Sequence, residues 1–403
     1  MGDSRALRER FRNALMGNYG VPPVAVVEGQ GCVVTDLDGR TYLDLIGGLA
    51  VSTLGHAHPA LVRAVSGQVA RLAHISNLSL HEQEVRLAER LLGLVGGEGR
   101  VFFANSGAEA NEAAFKLVRK HAGAERTYVV AARDSFHGRT MGALSLTGAA
   151  RARQSFDPFC AEVRHVAYGS TEELRSAVTP QCAAVFLEPV QGEAGVIPPP
   201  PGYLRAAREL CDRTGAVLVF DEVQSGIGRT GLWFAHQHDD VLPDVLTLAK
   251  GLGGGLPISA CIGLGRYGSV FEQGDHGSTF GGNPVSCAAA HAVLDTIEGD
   301  ELLGNATKTG ALLASGLATI DHPLLAGVRG IGLWQAVRLT EPRARSVEAH
   351  ARQTGFLVNA VQPNVVRLSP PLILTADEAQ SFIDALPGLL SAALTTPADE
   401  VMP

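Results

Sequence analysis

The chain has 403 residues, 46% of them hydrophobic and 18% charged, a composition that is typical of a globular protein with a large core. Its length favours roughly two to three domains. The formal net charge of -8 argues against a general nucleic-acid-binding surface, which would show a basic excess. The N-terminus has no apolar segment, and no apolar run approaches the ~18 residues of a membrane span, so neither a signal peptide nor a membrane protein is predicted.

The six cysteines are not arranged as a metal or redox motif. No two of them stand at C-x-x-C spacing, which argues against a zinc ribbon and against a dithiol site. Most lie in apolar stretches, as Cys261 does between Ala260 and Ile262. We therefore expect buried free thiols in a protein of the reducing cytoplasm.

The first hundred residues predict short strands followed by helices. Segments 24–27 and 32–35 are rich in β-forming residues, and Asp38-Gly39 is a strong hairpin turn. Apolar residues recur at helical spacing between residues 58 and 95, which predicts helices there.

From about residue 100 to residue 290, short and continuously apolar runs alternate with helical stretches. Such runs, without polar alternation, suit strands that are buried on both faces, and they predict a mostly parallel sheet between helices. Ligands bind at the carboxyl ends of such strands. The runs are 101–104, 128–132, 183–187, 216–220, 245–248 and 260–264.

The last hundred residues predict a smaller α+β part. We expect helices at 301–320 and 344–354, strands at 332–339 and 365–368, and a strand followed by a helix within 372–394. The N-terminal strands stand outside the parallel run and are expected to join this part. The predicted organisation is an N-terminal segment at 1–57, a large domain at 58–295 and a small domain at 296–403.

Two strand ends carry residues that suit a Schiff-base enzyme. Asp221 and Glu222 end an apolar strand, and acids there are costly unless a positive group meets them. Lys250 follows another apolar strand and precedes a glycine-rich loop, so its amine can be partly desolvated and neutral enough to attack a carbonyl. An acid nearby could pair with a protonated pyridine nitrogen. Taken singly, a surface turn and a solvated lysine would explain them as well.

Three further strand ends add polar groups beside glycines. Ser106 can cap a helix whose first N–H groups, at Gly107 and Ala108, would suit a phosphate. The loop after 128–132 carries Phe136, which can stack on a flat cofactor, and Arg139, which can grip a carboxylate. Strand 183–187 runs into Glu188-Pro-Val-Gln-Gly-Glu. Together these coincidences predict one ligand site.

At this point the chain resembles a known family, the class III, fold-type I aminotransferases, and within it the acetylornithine aminotransferases of arginine biosynthesis. The resemblance runs from about residue 15 to residue 395. It implies an α/β fold whose large domain has a mostly parallel seven-stranded sheet. The stretches that carry it are Asn18-Tyr-Gly-Val-Pro-Pro, Leu54-Gly-His-Ala-His-Pro, Asn105-Ser-Gly-Ala-Glu-Ala-Asn-Glu-Ala, Phe136-His-Gly-Arg-Thr, Leu187-Glu-Pro-Val-Gln-Gly-Glu, Phe220-Asp-Glu-Val-Gln-Ser-Gly, Leu248-Ala-Lys-Gly-Leu-Gly-Gly-Gly-Leu-Pro, His276-Gly-Ser-Thr-Phe-Gly-Gly-Asn-Pro and Asn364-Val-Val-Arg-Leu-Ser-Pro-Pro-Leu.

The resemblance implies a role for each cofactor residue. Lys250 would carry pyridoxal 5'-phosphate as a Schiff base and move the proton, while Asp221 would pair with the pyridine nitrogen. The other cofactor-binding residues would be Ser106, Gly107 and Ala108 at the phosphate with Thr279 of the partner subunit, Val223 and Phe136 on the two faces of the ring, Gln224 at the phenolic oxygen, and His137 and Glu188 behind them.

The resemblance also implies how substrates bind. Arg139 would hold a substrate carboxylate, with Ser278 of the partner subunit nearby, and Tyr19 is also expected at the substrate. Arg367 would take the α-carboxylate of glutamate, and Glu193 would pair with Arg367 when an ω-amino donor enters. The implied protein is a cytoplasmic homodimer with a shared active site that moves an amino group from N2-acetylornithine to 2-oxoglutarate.

Alternatives remain open at this stage. Within the family they are ornithine, 4-aminobutyrate and succinyl-diaminopimelate aminotransferases, an aminomutase and a non-catalytic homologue. Gly226-Ile-Gly228-Arg-Thr-Gly231 matches the nicotinamide motif but lacks its strand–turn–helix context, and His56-Ala-His58 lacks the partners of a metal site, so no metal is predicted. Ser79 and Trp334 depart from the family pattern, and Trp334 is expected to affect small-domain packing and not the cofactor residues.

Overall fold

The structure, a computed structural model, describes residues 4–396. A seven-stranded sheet forms its centre, and six strands run parallel while Ser259–Leu264 runs antiparallel to both of its neighbours. This confirms the predicted mostly parallel sheet. In spatial order the strands are Gly99–Ala104, Ser259–Leu264, Val245–Leu248, Val217–Asp221, Cys182–Leu187, Tyr128–Ala132 and Glu162–Val166.

All six predicted apolar runs are strands, and five of them are buried on both faces, whereas the edge strand Gly99–Ala104 is only partly buried. Every residue of Val217–Asp221, for example, is buried. The seventh strand, Glu162–Val166, was not predicted, since it lies at the sheet edge and alternates exposed and half-buried residues instead of forming an apolar run.

Some helices cover the central sheet, and others, such as Ala344–Gln353, pack against strands outside it. The predicted helices between residues 58 and 95 are present as Pro59–Arg71 and Glu82–Val95. The other helices are Ser4–Ala14, Gly47–Ala50, Gly107–Ala122, Met141–Leu146, Ala150–Arg153, Thr171–Ala177, Tyr203–Thr214, Pro284–Gly299, Leu302–Ala318, Ala344–Gln353 and Ala376–Thr395.

Two four-stranded sheets lie outside the central sheet. The N-terminal strands Val26–Gln30, Val33–Asp36 and Thr41–Asp44 pair in order, and the third also pairs with Phe356–Leu357 near the C-terminus. The second sheet has the order Leu325–Ile331, Trp334–Leu339, Val365–Leu368 and Asn359–Gln362.

One predicted strand is wrong. The segment that begins at Leu372 forms a turn before the helix Ala376–Thr395. Pro370 and Pro371 precede it and cannot donate to a ladder, and the Leu372 and Leu374 N–H groups bond to the carbonyls of Thr53 and Pro371 instead.

All six cysteines are free, and five of them are buried as expected, whereas Cys160 is exposed. Within residues 4–396, no helix combines the length and the apolar character that crossing a bilayer requires.

Candidate active site

A cavity of about 450 Å³ opens at the carboxyl ends of the parallel strands, where the sequence predicted the ligand site. Twelve of the predicted residues line it, although they come from five separate segments of the chain. They are Ser106, Gly107, Ala108, Phe136, His137, Arg139, Glu188, Glu193, Asp221, Val223, Gln224 and Lys250.

Lys250 enters the cavity from the end of strand Val245–Leu248. Its backbone is in the left-handed region (φ 41°) at the start of a tight turn that runs to Gly253. Burial lowers the pKa of its amine, although the carboxylate of Glu193 opposes this shift. A lowered pKa keeps more of the amine neutral, which is the state that attacks a carbonyl.

Asp221 is buried at the end of the adjacent strand, and its carboxylate accepts hydrogen bonds on both oxygens. Oδ1 accepts from the Val223 N–H at 3.0 Å, and Oδ2 lies 2.7 Å from both Asn111 Nδ2 and His137 Nδ1. Such a fully buried acid is tolerated because these donors surround it. Its position is therefore fixed from three directions.

His137 and Glu188 form a second buried layer. Burial alone would lower the pKa of His137, but its hydrogen bond to Asp221 and the charges of Asp221 and Glu188 outweigh burial, so the pKa is raised. Burial raises the pKa of Glu188 to about 7. Glu188 accepts from the N–H groups of Phe136 and Gly192, so it fixes two loops of the cavity wall.

The helix Gly107–Ala122 points its N-terminus at the cavity. Ser106 caps it in a capping box with Glu109, whose Oε2 lies 2.8 Å from the Ser106 N–H. A methyl group added at Gly107 would lie 2.6 Å from Val223 Cγ1, so only glycine lets the helix start approach this loop. The N–H groups of Gly107 and Ala108 precede the first intrahelical bonds and suit an anion.

Phe136 and Val223 come from different loops and both line the cavity. The Arg139 guanidinium lies 5.4 Å from the centre of the Phe136 ring and is exposed at the mouth. Gln224 is buried and donates from Nε2 to the Leu49 carbonyl at 3.3 Å, which orients its amide oxygen away from Leu49.

Arg367 lies behind Glu193 and does not itself line the cavity. Its Nη1 is 2.7 Å from Glu193 Oε1, and its Nη2 donates to Asn359 Oδ1 at 2.8 Å. Burial would raise the pKa of Glu193, but the guanidinium outweighs burial and the pKa is lowered. The two predicted partners therefore meet, although they are 174 residues apart.

Three further predicted residues do not line the cavity. Tyr19 is 87% exposed in the short turn Gly17–Tyr19. Ser278 bonds to Asn105 Nδ2 at 3.2 Å, and Thr279 beside it is exposed. Their roles at the substrate and the phosphate stay predictions.

Asn111 and Thr247 are site residues that the sequence analysis missed. Asn111 donates to Asp221 and to the His137 carbonyl, and it accepts from the Thr247 hydroxyl at 2.9 Å. Asn111 could have been identified as a polar residue on a helix face that otherwise carries buried residues such as Ala110, Ala113 and Ala114.

Comparisons with known proteins agree in class. A family model of class-III aminotransferases matches residues 16–390. The acetylornithine aminotransferase of Mycolicibacterium smegmatis is 54% identical over 387 residues, covering 96% of this chain and 98% of that protein. The protein of the same name from Mycobacterium tuberculosis is 53% identical and covers 97% and 98%. A structure of the Toxoplasma gondii ornithine aminotransferase, with pyridoxal phosphate partly occupying its active site, matches with a TM-score of 0.91 and 32% identity, covering 97% and 95%.

Proposed function

The chain belongs to the class-III aminotransferases, and from this premise we propose that it uses pyridoxal phosphate to move the δ-amino group of N2-acetylornithine to 2-oxoglutarate. The observation that carries the choice of donor is its 54% identity, over nearly the full length of both chains, to an acetylornithine aminotransferase. The products would be N-acetylglutamate 5-semialdehyde and glutamate. This reaction would place the enzyme in arginine biosynthesis.

The residues of the cavity fit the cofactor. A carboxylate offers about four lone pairs, and on Asp221 three of these accept from Val223, Asn111 and His137. One lone pair on Oδ1 is left, within the described part of the chain, for the N–H of a protonated pyridine ring. The helix start at Gly107 would hold the phosphate, and Val223 and Phe136 would hold the ring between them.

When bound, pyridoxal phosphate supplies an aldehyde carbon and a ring that accepts electrons. Lys250 Nζ would bind that carbon and later carry the proton between the substrate carbon and the cofactor. Asp221 would hold the proton on the ring nitrogen, because its carboxylate is kept in place by three donors. Gln224 would bind the phenolic oxygen, and His137 would steady Asp221 from behind.

One pocket must accept two substrates that enter in different orientations. Arg139 at the mouth would bind the carboxylate at the far end of the donor. Arg367 would bind the α-carboxylate of glutamate once Glu193 has moved aside, and it would be neutralised by Glu193 when acetylornithine is bound. The arginine–glutamate pair would thus give the pocket two electrostatic states.

The active site would be completed by a second copy of the chain. Leu78 and Leu80 are almost fully exposed, and Phe280 is largely exposed. Phe280 lies near them, because Asn77 Nδ2 donates hydrogen bonds to the carbonyls of Ser278 and Gly281 on either side of it. Exposed large apolar side chains this close together are typical of an interface. A homodimer through this surface would let Thr279 of the partner subunit reach the phosphate.

Three further assignments stay proposals. The domain division at residues 57/58 and 295/296, the role of Tyr19 at the substrate and the cytoplasmic location all come from the sequence interpretation.

The test is a panel of half-reactions followed by the absorbance of the holoenzyme. N2-acetylornithine, ornithine, 4-aminobutyrate and succinyl-diaminopimelate are each added without a keto acid, and the conversion of the cofactor to its amino form is timed. We expect the highest kcat/KM with N2-acetylornithine. A higher value with another amine would identify that amine as the donor. If none of the four amines converted the cofactor to its amino form, the proposed activity would be wrong.

A further inference from the structure

We propose that Trp334 is a positioning residue for Glu193, and that it sets how strongly the pocket prefers the ω-amino donor over glutamate. The proposal rests on the two-state role proposed above for Glu193 and Arg367. It concerns a buried side chain that shares a sheet face with Arg367 and packs under the loop that carries Glu193.

Glu193 stands on a tight loop whose backbone is held from several sides. The carbonyl of Gly192 accepts from the N–H groups of Gly195 and Val196 at 3.0 and 3.2 Å. Gln362 Nε2 donates to the Glu193 carbonyl at 2.8 Å, and Arg329 Nε donates to the Gly195 carbonyl at 3.0 Å. These hydrogen bonds hold the loop backbone at several points. The distance between the loop and the small sheet, by which we mean the four-stranded sheet that contains Trp334 and Arg367, is set by packing.

The face of the small sheet below this loop carries Trp334 and Arg367 together. Ala336 is directly opposite Arg367 in the antiparallel pair, so their side chains share one face. Trp334 is two residues before Ala336 on the same strand and therefore lies on that face too. It is fully buried in a small apolar cluster with Val190 and Val196, the two ends of the loop.

Trp334 sets the height of the loop through Gly192, the residue before Glu193. A methyl group added at Gly192 would lie 2.9 Å from Trp334 Cζ2 and 2.1 Å from Gln224 Oε1. The indole therefore fills the space under the loop, next to a residue predicted to bind the cofactor. The expectation that Trp334 concerns only small-domain packing is thus incomplete.

A smaller side chain at 334 would let the loop sink in part, because the surrounding atoms relax partly into the removed volume. Glu193 would then lose its alignment with Arg367 Nη1, which depends on a single contact of 2.7 Å. Arg367 would be available to dicarboxylates more of the time. The variant should bind glutarate more tightly and should favour glutamate over N2-acetylornithine.

The experiment uses the variant Trp334→Phe in the holoenzyme. Phenylalanine lacks the part of the indole that contains Cζ2, and the indole Nε1 has no hydrogen-bond partner among residues 4–396, so the substitution removes volume without removing a protein hydrogen bond. Trp233→Phe is the matched control, since Trp233 packs against the main core and not under the loop. Glu193→Ala and the double variant Glu193→Ala/Trp334→Phe complete the set.

Two quantities are measured for each protein. Calorimetry gives the Kd of glutarate, which reports how available Arg367 is to a carboxylate and needs no turnover. Single-turnover absorbance gives the ratio of kcat/KM for N2-acetylornithine to that for glutamate. We expect Trp334→Phe to lower both the glutarate Kd and the ratio by about tenfold, Trp233→Phe to change neither by more than about twofold, and the Trp334 effect to vanish when Glu193 is already alanine.

The outcomes separate this inference from the function on which it rests. If Glu193→Ala shifts both quantities and Trp334→Phe shifts neither, the inference fails and the two-state pair stands. A Trp334 effect that persists in the Glu193→Ala background also overturns it. If Glu193→Ala itself changes nothing, the two-state pair is wrong and the inference fails with it, whereas the wild-type donor panel alone decides the proposed reaction.

Discussion

The guanidinium of Arg367 is shielded from the cavity by the carboxylate of Glu193. Arg367 is 1% exposed, whereas the Glu193 side chain is 37% exposed, and Nη1 and Oε1 are 2.7 Å apart. A buried arginine without a partner would be strongly destabilising, and Glu193 compensates the charge of Arg367 here. Under the proposed mechanism, a ligand that displaces Glu193 must therefore bring an anionic group of its own.

We expect Arg367→Ala to raise the KM for glutamate and 2-oxoglutarate by about 10- to 100-fold, which corresponds to the loss of a charged hydrogen bond of roughly 1.5–3 kcal/mol. The KM for N2-acetylornithine should change by only a few-fold, because Arg367 would be neutralised when that donor binds. Steady-state kinetics with each substrate in turn gives both numbers. Arg338→Ala is the control, since Arg338 is an exposed arginine on the neighbouring strand. Equal losses for both substrates would contradict the proposed role.

Lys250→Ala should lower the rate of transamination by at least about 10³-fold, because the variant lacks both the amine that binds the cofactor and the base that moves the proton. Borohydride reduction of the wild-type holoenzyme should label residue 250, as seen by mass spectrometry of its peptides. Lys308→Ala, at an exposed helix position, should keep the activity. A label on another lysine would place the cofactor elsewhere.

Glu188 predicts a pH dependence of stability. Burial raises its pKa to about 7 in the folded protein, so between about pH 4.5 and 7 the folded state keeps a proton that the unfolded chain releases. The free energy of unfolding therefore falls across this window as pH rises, by up to roughly 3 kcal/mol from this group. Glu188→Gln should remove that fall.

The measurement for Glu188 is urea unfolding of the holoenzyme at pH 5 and pH 8. The free energy of unfolding of Glu188→Gln minus that of the wild type should be larger at pH 8 than at pH 5. Glu89→Gln, at an exposed helix position, is run as the matched substitution. The assignment fails if the Glu188 variant and the wild type lose the same stability between the two pH values.

Strand ends were the part of the site that could be predicted from residue patterns. Asp221 and Lys250 each follow an apolar run, and several polar strand ends within one parallel sheet together indicate a ligand site, although one alone does not. Asn111 and Thr247 could not be selected in this way, because a polar residue within a helix or strand is usually solvated. Only the folded chain shows that they bond to each other beside Asp221.

Contacts between residues far apart in the sequence could not be predicted from periodicity. The contact of Glu193 with Arg367 was expected from the family resemblance alone, since nothing in local spacing relates two residues 174 positions apart. The edge strand Glu162–Val166 was missed for a related reason. Its pairing with Tyr128–Ala132 depends on a neighbour and not on its own composition.

Gly107→Ala should weaken cofactor binding by about 10- to 100-fold, because the new methyl group would lie 2.6 Å from Val223 Cγ1 and must displace the helix start or the loop. Gly107→Ala should cost less affinity when Val223 is already alanine, because that change makes room for the new methyl group. Titration of the apoenzyme with pyridoxal phosphate gives each Kd. Gly93→Ala, where a methyl group meets nothing within 4 Å, should leave the Kd unchanged. Val223→Ala alone gives the reference Kd, because Val223 would itself contact the cofactor ring. Equal losses from Gly107→Ala in both backgrounds would show that the contact is not the cause.

Mixed dimers test whether Thr279 serves its own chain or the partner. Lys250→Ala removes the amine from a site, and Thr279→Glu should repel the phosphate at whichever site Thr279 serves. Each variant alone should be nearly inactive. Coexpression gives a mixed dimer with one chain of each variant. If Thr279 serves the site of the other subunit, one of the two sites in this dimer has both an intact Lys250 and an intact Thr279.

Random pairing makes about half of the dimers mixed, so activity should return to about a quarter of the wild-type value. Separate affinity tags allow the mixed dimer to be isolated, and its cofactor content should then be close to one active site per dimer. If Thr279 served its own chain, every site in the mixture would carry one of the two substitutions. The mixture would then stay as inactive as its components, and the shared active site would be refuted even if the protein is a dimer.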